Sequence, residues 1–454
     1  MERTRVPGWV WAVLGLAHLL ALVWVLHSGR WRFPDSERYL QAAINLVQHG
    51  QLYAREWPTV FPSGQAVQEF TIRPLGYPAV LAILGGAGAS PWLVLLVQNG
   101  LSLLVLGAVL RWWARWARPQ PRHWWAALAL VLTFPAQLIY ANAVMSEALL
   151  QFVLLALAVA VAAFCQTGSV RYWTVVAGTV VAALLLKPVC GSLAGAVGVA
   201  GLVLGWRRRQ LSLLVIGLLP LLVITAYVVW NQQRTGYFHF SSITEINLLH
   251  YNAAGVVRQL QGPEVEEKWV AGVLRAANEQ KNFAARQKLV QTRAEAVLFA
   301  HPFVYGWQHL LGVGAFFLDP GRFDNSEFWG LTPLAGGGLL AQVRAGGLWR
   351  AVGQLPLGML AGLLVVLLAN GARLVLAVRG FGRLGREAGA GRAGRWVAVG
   401  LLAYLALLTG PLGAARFLMP AWPLLLGLAL MGLRGPMTEL PPAKLSAATT
   451  DANA

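Results

Sequence analysis

The sequence predicts an all-α, polytopic transmembrane helix bundle of about ten to twelve helices, with amphipathic interfacial helices on the outer face. Two observations predict it. Apolar runs of roughly 20 residues recur along the chain, and hydrophobic residue types make up 57% of it against 12% charged. That balance leaves no long polar stretch from which a separate soluble domain could be built. A third observation excludes a function class. The formal net charge is +18, which in a soluble chain would point to nucleic acid, but the arginines sit in short connectors between apolar runs, where the positive-inside bias puts them. Nucleic acid is not an expected partner.

Taken in order, the first apolar run spans about Pro7 to Leu26. Arg3 and Arg5 precede it, and Ser28-Gly29-Arg30-Trp31 follows without a small-residue cleavage site, so it reads as an uncleaved signal anchor with its N-terminus inside. The chain then emerges outside, where Tyr39, Leu40, Ala43, Ile44 and Val47 form a stripe at helical spacing. This predicts a short interfacial helix ended by Gly50. A polar loop from Gln51 to Ile72 leads into Arg73-Pro74-Leu75-Gly76-Tyr77-Pro78 and a short apolar run ending in Gly85-Gly86-Ala87-Gly88. If that run crossed, Arg111, Arg115, Arg118 and Arg122 would lie outside, so residues 74–88 are expected to be re-entrant.

Spans then alternate: Pro91 to Leu110 inward, Trp124 to Tyr140 outward, Ala148 to Ala163 inward, Trp173 to Leu186 outward, Ala194 to Trp206 inward and Leu211 to Trp230 outward. A long outer segment, 231–353, holds a charged amphipathic helix expected from Glu264 to Phe299. The run Phe303 to Leu318 is kept in the outer interface, because one crossing there would expose Arg373, Arg379, Arg383, Arg386, Arg392 and Arg395 outside. A span from about Leu355 to Asn370 delivers that cluster inside, and Trp396 to Leu408 and Leu418 to Leu433 complete the bundle. One domain therefore covers 1–433, with its first outer loop at 28–90. The tail 434–454 is polar and expected to be disordered and cytoplasmic. Cys165 falls near the inner face and Cys190 near the outer one, so no disulfide is expected.

On this topology the ionisable residues crowd the outer turns. Asp35 and Glu37 follow the first run, Glu147 follows Asn142-Ala143-Val144-Met145-Ser146, Lys187 precedes Pro188, and Arg416 follows Gly413-Ala414-Ala415, with Arg73 and Arg234 at interface depth. Charges near hydrocarbon are costly and usually pair or serve a pathway, and cations recurring at one depth suit a phosphate. Each residue also has a plain structural use. Asp35 is placed to cap a helix, Glu147 to favour a helix dipole, and Lys187 and Arg416 to snorkel from span ends. Asp35-Ser36-Glu37 has the acid-x-acid spacing that ligates Mg²⁺ or Mn²⁺, although two such side chains diverge on a helix unless one precedes its first turn. The histidines lack zinc spacing, and neither a nucleotide-binding glycine loop nor a hydrolase triad is present.

The order of these motifs resembles that of the GT-C superfamily of membrane glycosyltransferases, in particular the bacterial protein-mannosyltransferase and aminoarabinose-transferase type that uses a polyprenyl-phosphate sugar. Asp35-Ser36-Glu37-Arg38-Tyr39 resembles the family's first outer loop, Arg73-Pro74-Leu75-Gly76-Tyr77-Pro78 its Arg-x-Pro-Gly-Tyr-Pro element, and Ser146-Glu147 its second acidic motif. Lys187-Pro188 stands where many members have Arg-Pro, Asn231 to Gly236 resembles a further run, and Arg416-Phe417-Leu418-Met419-Pro420 is similar to the closing Arg-Tyr-x-x-Pro with Phe for Tyr.

The resemblance implies a site on the outer, periplasmic face of the bacterial cytoplasmic membrane. In it Asp35 is the general base, Arg73, Lys187, Arg234 and Arg416 bind the lipid phosphate, and Glu37, Glu147, Tyr39 and Tyr77 engage acceptor or donor sugar. The implied partners are a polyprenyl-phosphate-linked sugar donor, a glycan, lipid or protein acceptor, and membrane lipid; a divalent cation at Asp35 and Glu37 is the one cofactor considered. Two alternatives stay open: a transporter or flippase of a lipid-linked sugar, which would place polar residues at span midpoints, and a lipid-linked oligosaccharide ligase or polymerase with a larger donor.

Overall fold

The computed structural model describes residues 5–57, 69–86, 88, 91–331, 353, 356–385 and 390–433. The tail 434–454, Arg386, Ala87 and the stretches 58–68 and 332–352 lie outside the described residues. Among the described residues every regular element is a helix, and eight are long and apolar enough to cross a membrane. The chain is thus the polytopic all-α bundle that its composition predicts.

Helix α1 (Gly8–Ser28) delivers the chain to one end of the bundle, where α2 (Ser36–His49) follows after a tight turn. The apolar stripe of α2 is turned inward: Tyr39, Leu40 and Ala43 are buried, whereas Val47 is exposed. Helix α3 (Gly76–Ile83) has eight residues, about 12 Å at 1.5 Å per residue, far short of a crossing. Its first residue lies so close to the end of a later helix that a Cβ on Gly76 would meet the Leu185 carbonyl oxygen at 2.6 Å. Only glycine fits that approach.

Helix α4 (Trp92–Ala117) runs to the opposite end, and α5 (Pro121–Leu132) and α6 (Ala136–Ala141) return. The return is broken at 133–135 because Pro135 has no N–H to continue the ladder. Helices α7 (Glu147–Thr167), α8 (Val170–Leu186), α9 (Gly191–Arg208) and α10 (Leu211–Thr235) alternate between the two ends.

The polar segment that follows is not one long helix from Glu264 to Phe299. It forms α11 (Ile243–Asn247), α12 (Ala254–Gln261), α13 (Pro263–Asn278) and α14 (Phe283–Ala300). Gly262, at φ 91°, separates α12 from α13, and Asn282 caps α14 by accepting the Ala285 N–H at 2.8 Å. Helices α15 (Pro302–Leu318) and α16 (Arg322–Trp329) close the segment.

The last passes are α17 (Leu357–Leu384), α18 (Ala390–Thr409), the short α19 (Ala415–Leu418) and α20 (Trp422–Gly432). Helix α17 does not stop near Asn370 but continues to Leu384. Arg373, Arg379 and Arg383 therefore ride on the helix instead of forming a connector, and Arg373 is fully buried. Arg111, Arg115, Arg118, Arg122 and Arg207 to Arg209 gather at the end opposite α2.

Candidate active site

The turns at the α2 end are stitched together before any charge is considered. The Val144 N–H donates to the Trp31 carbonyl at 3.0 Å, and the Phe33 and Tyr140 rings lie 5.7 Å apart. Ser36 accepts the Phe33 N–H through its hydroxyl at 2.9 Å, which fixes the turn holding Asp35. Asp35 occupies the N-cap position of α2, yet its side chain makes no cap bond. The carboxylate turns away from the helix toward two arginines.

Arg73 Nη2 donates to Asp35 Oδ1 at 2.6 Å, and Arg416 Nη2 donates to Oδ2 at 2.6 Å. Through Nε, Arg416 also donates to Glu147 Oε1 at 2.6 Å. Lys187 Nζ completes the row on the same oxygen at 2.8 Å. Five side chains from distant turns thus alternate in sign, Arg73–Asp35–Arg416–Glu147–Lys187, and the row itself holds three cations against two carboxylates, one positive charge in excess. Glu147 is fully buried, whereas the Asp35 side chain stays 26% exposed. The row is open to a ligand at Asp35.

Aromatic rings hold the cations in place. The Arg73 guanidinium lies 4.6 Å over Tyr39, Tyr39 packs edge-on to Tyr77 at 4.9 Å, and the Tyr77 hydroxyl donates to Gln98 Oε1 at 2.7 Å. Lys187 and Arg416 both face the Phe417 ring, at 5.5 and 5.8 Å. A cation over a ring face is attracted by its quadrupole. Lys187 and Arg416 are therefore committed to the row and do not snorkel toward water.

Burial alone would raise the Asp35 carboxyl, but the charges of Arg73 and Arg416 and the hydrogen bonds from both hold it well below the usual carboxylate range. Asp35 is ionised and, in this arrangement, a weak base.

Two expected site residues lie elsewhere. Glu37 is 66% exposed and faces Arg32 at 3.7 Å. Arg234 donates to the Phe70 carbonyl at 3.2 Å and to the Asn231 side chain, with its guanidinium 3.6 Å over Trp230. It braces α10 against the segment leading to Arg73. A cation seated between Asp35 and Glu37 would have to displace a guanidinium from Asp35 and draw Glu37 in from the surface, so these residues as folded do not fit one. Among the described residues no group of three His, Cys, Asp or Glu is placed to hold a metal ion.

The structure adds residues that the motifs did not single out. Tyr140 donates to Asp324 Oδ1 at 2.7 Å, and Asp319 Oδ2 accepts the Ala415 N–H at 2.9 Å. A signal existed in the sequence. Asp319-Pro320-Gly321-Arg322-Phe323-Asp324 is an acidic turn directly after an apolar run, the same placement that marked Asp35.

No protein-family model matches the chain, and no curated protein matches it. Among solved structures it is similar to the crystal structure of ArnT from Cupriavidus metallidurans bound to undecaprenyl phosphate, at 17% identity and TM-score 0.38 over 94% of this chain and 77% of that one. It is also similar to the same protein in the apo state, at 16% identity and TM-score 0.34 over 94% and 76%.

Proposed function

We propose that the chain is an inverting membrane glycosyltransferase that moves a sugar from a polyprenyl-phosphate donor to an acceptor hydroxyl at the outer face of the bacterial cytoplasmic membrane. The observation that carries this reading is the alternating row with its single excess positive charge at one end of the bundle. A sugar linked to a lipid through one phosphate is a phosphodiester with one negative charge, which that excess matches. Among the described residues, buried Arg73 Nε and Glu147 Oε2 have no hydrogen-bond partner, so both ends of the row keep polar capacity that its internal pairing leaves unused.

The reaction follows from the same charges. The acceptor oxygen attacks the anomeric carbon, its proton passes to Asp35, and the bond from that carbon to the phosphate oxygen breaks with its electron pair on the phosphate. Attack opposite the leaving group inverts the configuration. The departing phosphate gains a second negative charge while the row, with Asp35 protonated, gains a second positive one. No acid is needed for such a leaving group, only cations. A donor linked through a diphosphate would enter and leave with more charge than the row offers, which favours this reading over a lipid-linked oligosaccharide ligase or polymerase. The donor phosphate competes with Asp35 for a guanidinium, and losing one arginine restores basicity to the carboxylate. Base activation is then coupled to donor binding.

The test is a transfer assay in nanodiscs with radiolabelled polyprenyl-phosphate monosaccharides and a crude membrane acceptor fraction. Wild type is expected to transfer label, and Asp35→Asn to lose about 100- to 10,000-fold in rate with donor binding retained. Normal turnover by Asp35→Asn would remove the base assignment, and donor binding without transfer by the wild type would favour a transporter.

A further inference from the structure

Helix α15 packs onto the turn that carries Arg416, and α16 continues it as a strap against α6. The backbones touch: a Cβ on Gly413 would collide with the Gly312 carbonyl oxygen, and one on Gly312 with that of Gly410. Between the two strap helices, Asp319 accepts the Gly321 N–H on Oδ1 at 3.1 Å and the Ala415 N–H on Oδ2 at 2.9 Å. Ala415 opens α19, whose own N-cap residue, Ala414, has no side-chain acceptor to offer. Asp319 therefore caps, from 96 residues away in sequence, the helix turn from which Arg416 projects.

The other strap helix, α16, is pinned by Trp24, whose indole N–H donates to the Phe328 carbonyl at 3.0 Å. It buries Asp324 to 5% exposure with Tyr140 as its hydrogen-bond donor. The charged and titratable groups facing Asp324 are Tyr140 from α6, Asp319 from the strap turn, Arg416 from α19 and Glu147 from α7.

We propose that Asp319 and Asp324 are positioning residues for Arg416. Asp319 holds the backbone turn that aims the guanidinium at Asp35 and Glu147, and Asp324, through Tyr140, sets the negative field beside it. This rests on Arg416 binding the donor phosphate. Burial pushes the Asp324 carboxyl up to about 7, against the hydrogen bond from Tyr140. It thus gains charge near neutrality, and that charge repels a phosphate approaching Arg416.

The experiment measures binding of a synthetic polyprenyl methyl phosphodiester to protein in nanodiscs. A diester keeps one charge between about pH 5 and pH 9, so any titration belongs to the protein. Arg416→Ala and Asp319→Ala are each expected to weaken binding about 10-fold or more. Asp319→Asn, whose one amide oxygen can still accept the Ala415 N–H while the Gly321 N–H is given up, is expected to stay within about 3-fold of wild type. The double variant Asp319→Ala/Arg416→Ala should bind no worse than Arg416→Ala alone, because residues acting through one group are not additive. Wild-type binding should weaken as pH rises through neutrality, and Asp324→Asn should abolish that dependence.

If Arg416→Ala binds as wild type, the phosphate reading of Arg416 falls and the proposal with it. Should Arg416→Ala weaken binding while Asp319→Ala and Asp324→Asn behave as wild type, the proposal alone is overturned. Additive losses in the double variant also overturn it, because general loosening of the fold, and not the aim of Arg416, would then explain Asp319→Ala.

Discussion

At the residue scale, the two aspartates near Arg416 respond to acid in opposite directions. The arginines hold Asp35 low against its burial, so the stability it contributes is present above its unfolded pKa of about 3.8 and is lost only as pH falls through the lower folded value. Asp324 is the reverse, raised by burial to about 7. Between about pH 4 and pH 7 the folded protein keeps a proton that the unfolded chain has released, so stability declines across that window and stays reduced above it. Asp324→Asn retains an acceptor for Tyr140 without the charge. Its thermal midpoint in nanodiscs should therefore match wild type near pH 4 and exceed it by several degrees near pH 8; an equal offset at both would mean that Asp324 does not titrate there. Asp35, Glu147, Lys187 and Arg416 were legible in sequence because each sits where an apolar run ends and a charge is costly. Asp319 and Asp324 obey the same logic, but the run before them is one whose crossing the charge pattern argues against, so the acids after it do not stand at the end of an expected span. Arg234 follows a motif in sequence, but sequence does not fix which way a residue on α10 projects, and here it turns to Phe70, Asn231 and Trp230.

At the element scale, the break between α5 and α6 is what brings Tyr140 and Glu147 to the site. With Pro135 lacking an N–H and the Phe134 N–H taken by the Val131 carbonyl, the Leu130 carbonyl has no partner within its own helix. Arg373 supplies one, donating from Nε at 3.1 Å and Nη2 at 2.8 Å, and stacks over Trp422 at 5.0 Å. The positive-inside bias groups Arg373 with an inner basic cluster beyond a span that ends near Asn370. The buried residues of α17 show the phase instead: Asn370, Arg373, Ala377, Gly380 and Leu384 recur every three or four positions and make one stripe. Below the site, Gln137 and Gln151 exchange hydrogen bonds, and Gln151 donates to the Met419 carbonyl at 2.8 Å. These bonds tie α6 and α7 to the turn after Arg416. Arg373→Met should orphan the Leu130 carbonyl and cost about 1–3 kcal/mol of stability, read as a lower thermal midpoint in nanodiscs. An unchanged midpoint would show that the break is held by packing alone.

At the scale of the whole molecule, the fold gathers a group of arginines at the end opposite the row, and that placement makes a prediction about orientation. The acidic residues of the row lie at the α2 end, while Arg111, Arg115, Arg118, Arg122 and Arg207 to Arg209 lie at the other. Positive charge is retained on the cytoplasmic side, so the α2 end should face outward, where a lipid-linked sugar on the outer leaflet can reach Asp35. The geometry dictates which positions can test this. Ser36 is fully buried and Gly413 has no room for a Cβ, so neither will serve as a labelling site. Glu37, two-thirds exposed, will serve at the α2 end, and Arg207, exposed at the end of α9, will serve at the other. Of the native thiols, Cys190 is buried, and Cys165 is exposed and must be removed. In a Cys165→Ser background, Glu37→Cys is expected to react with an impermeant maleimide on intact cells, and Arg207→Cys only after permeabilisation. The opposite pattern would turn the bundle over, put Asp35 on the cytoplasmic side and require a donor presented from within the cell.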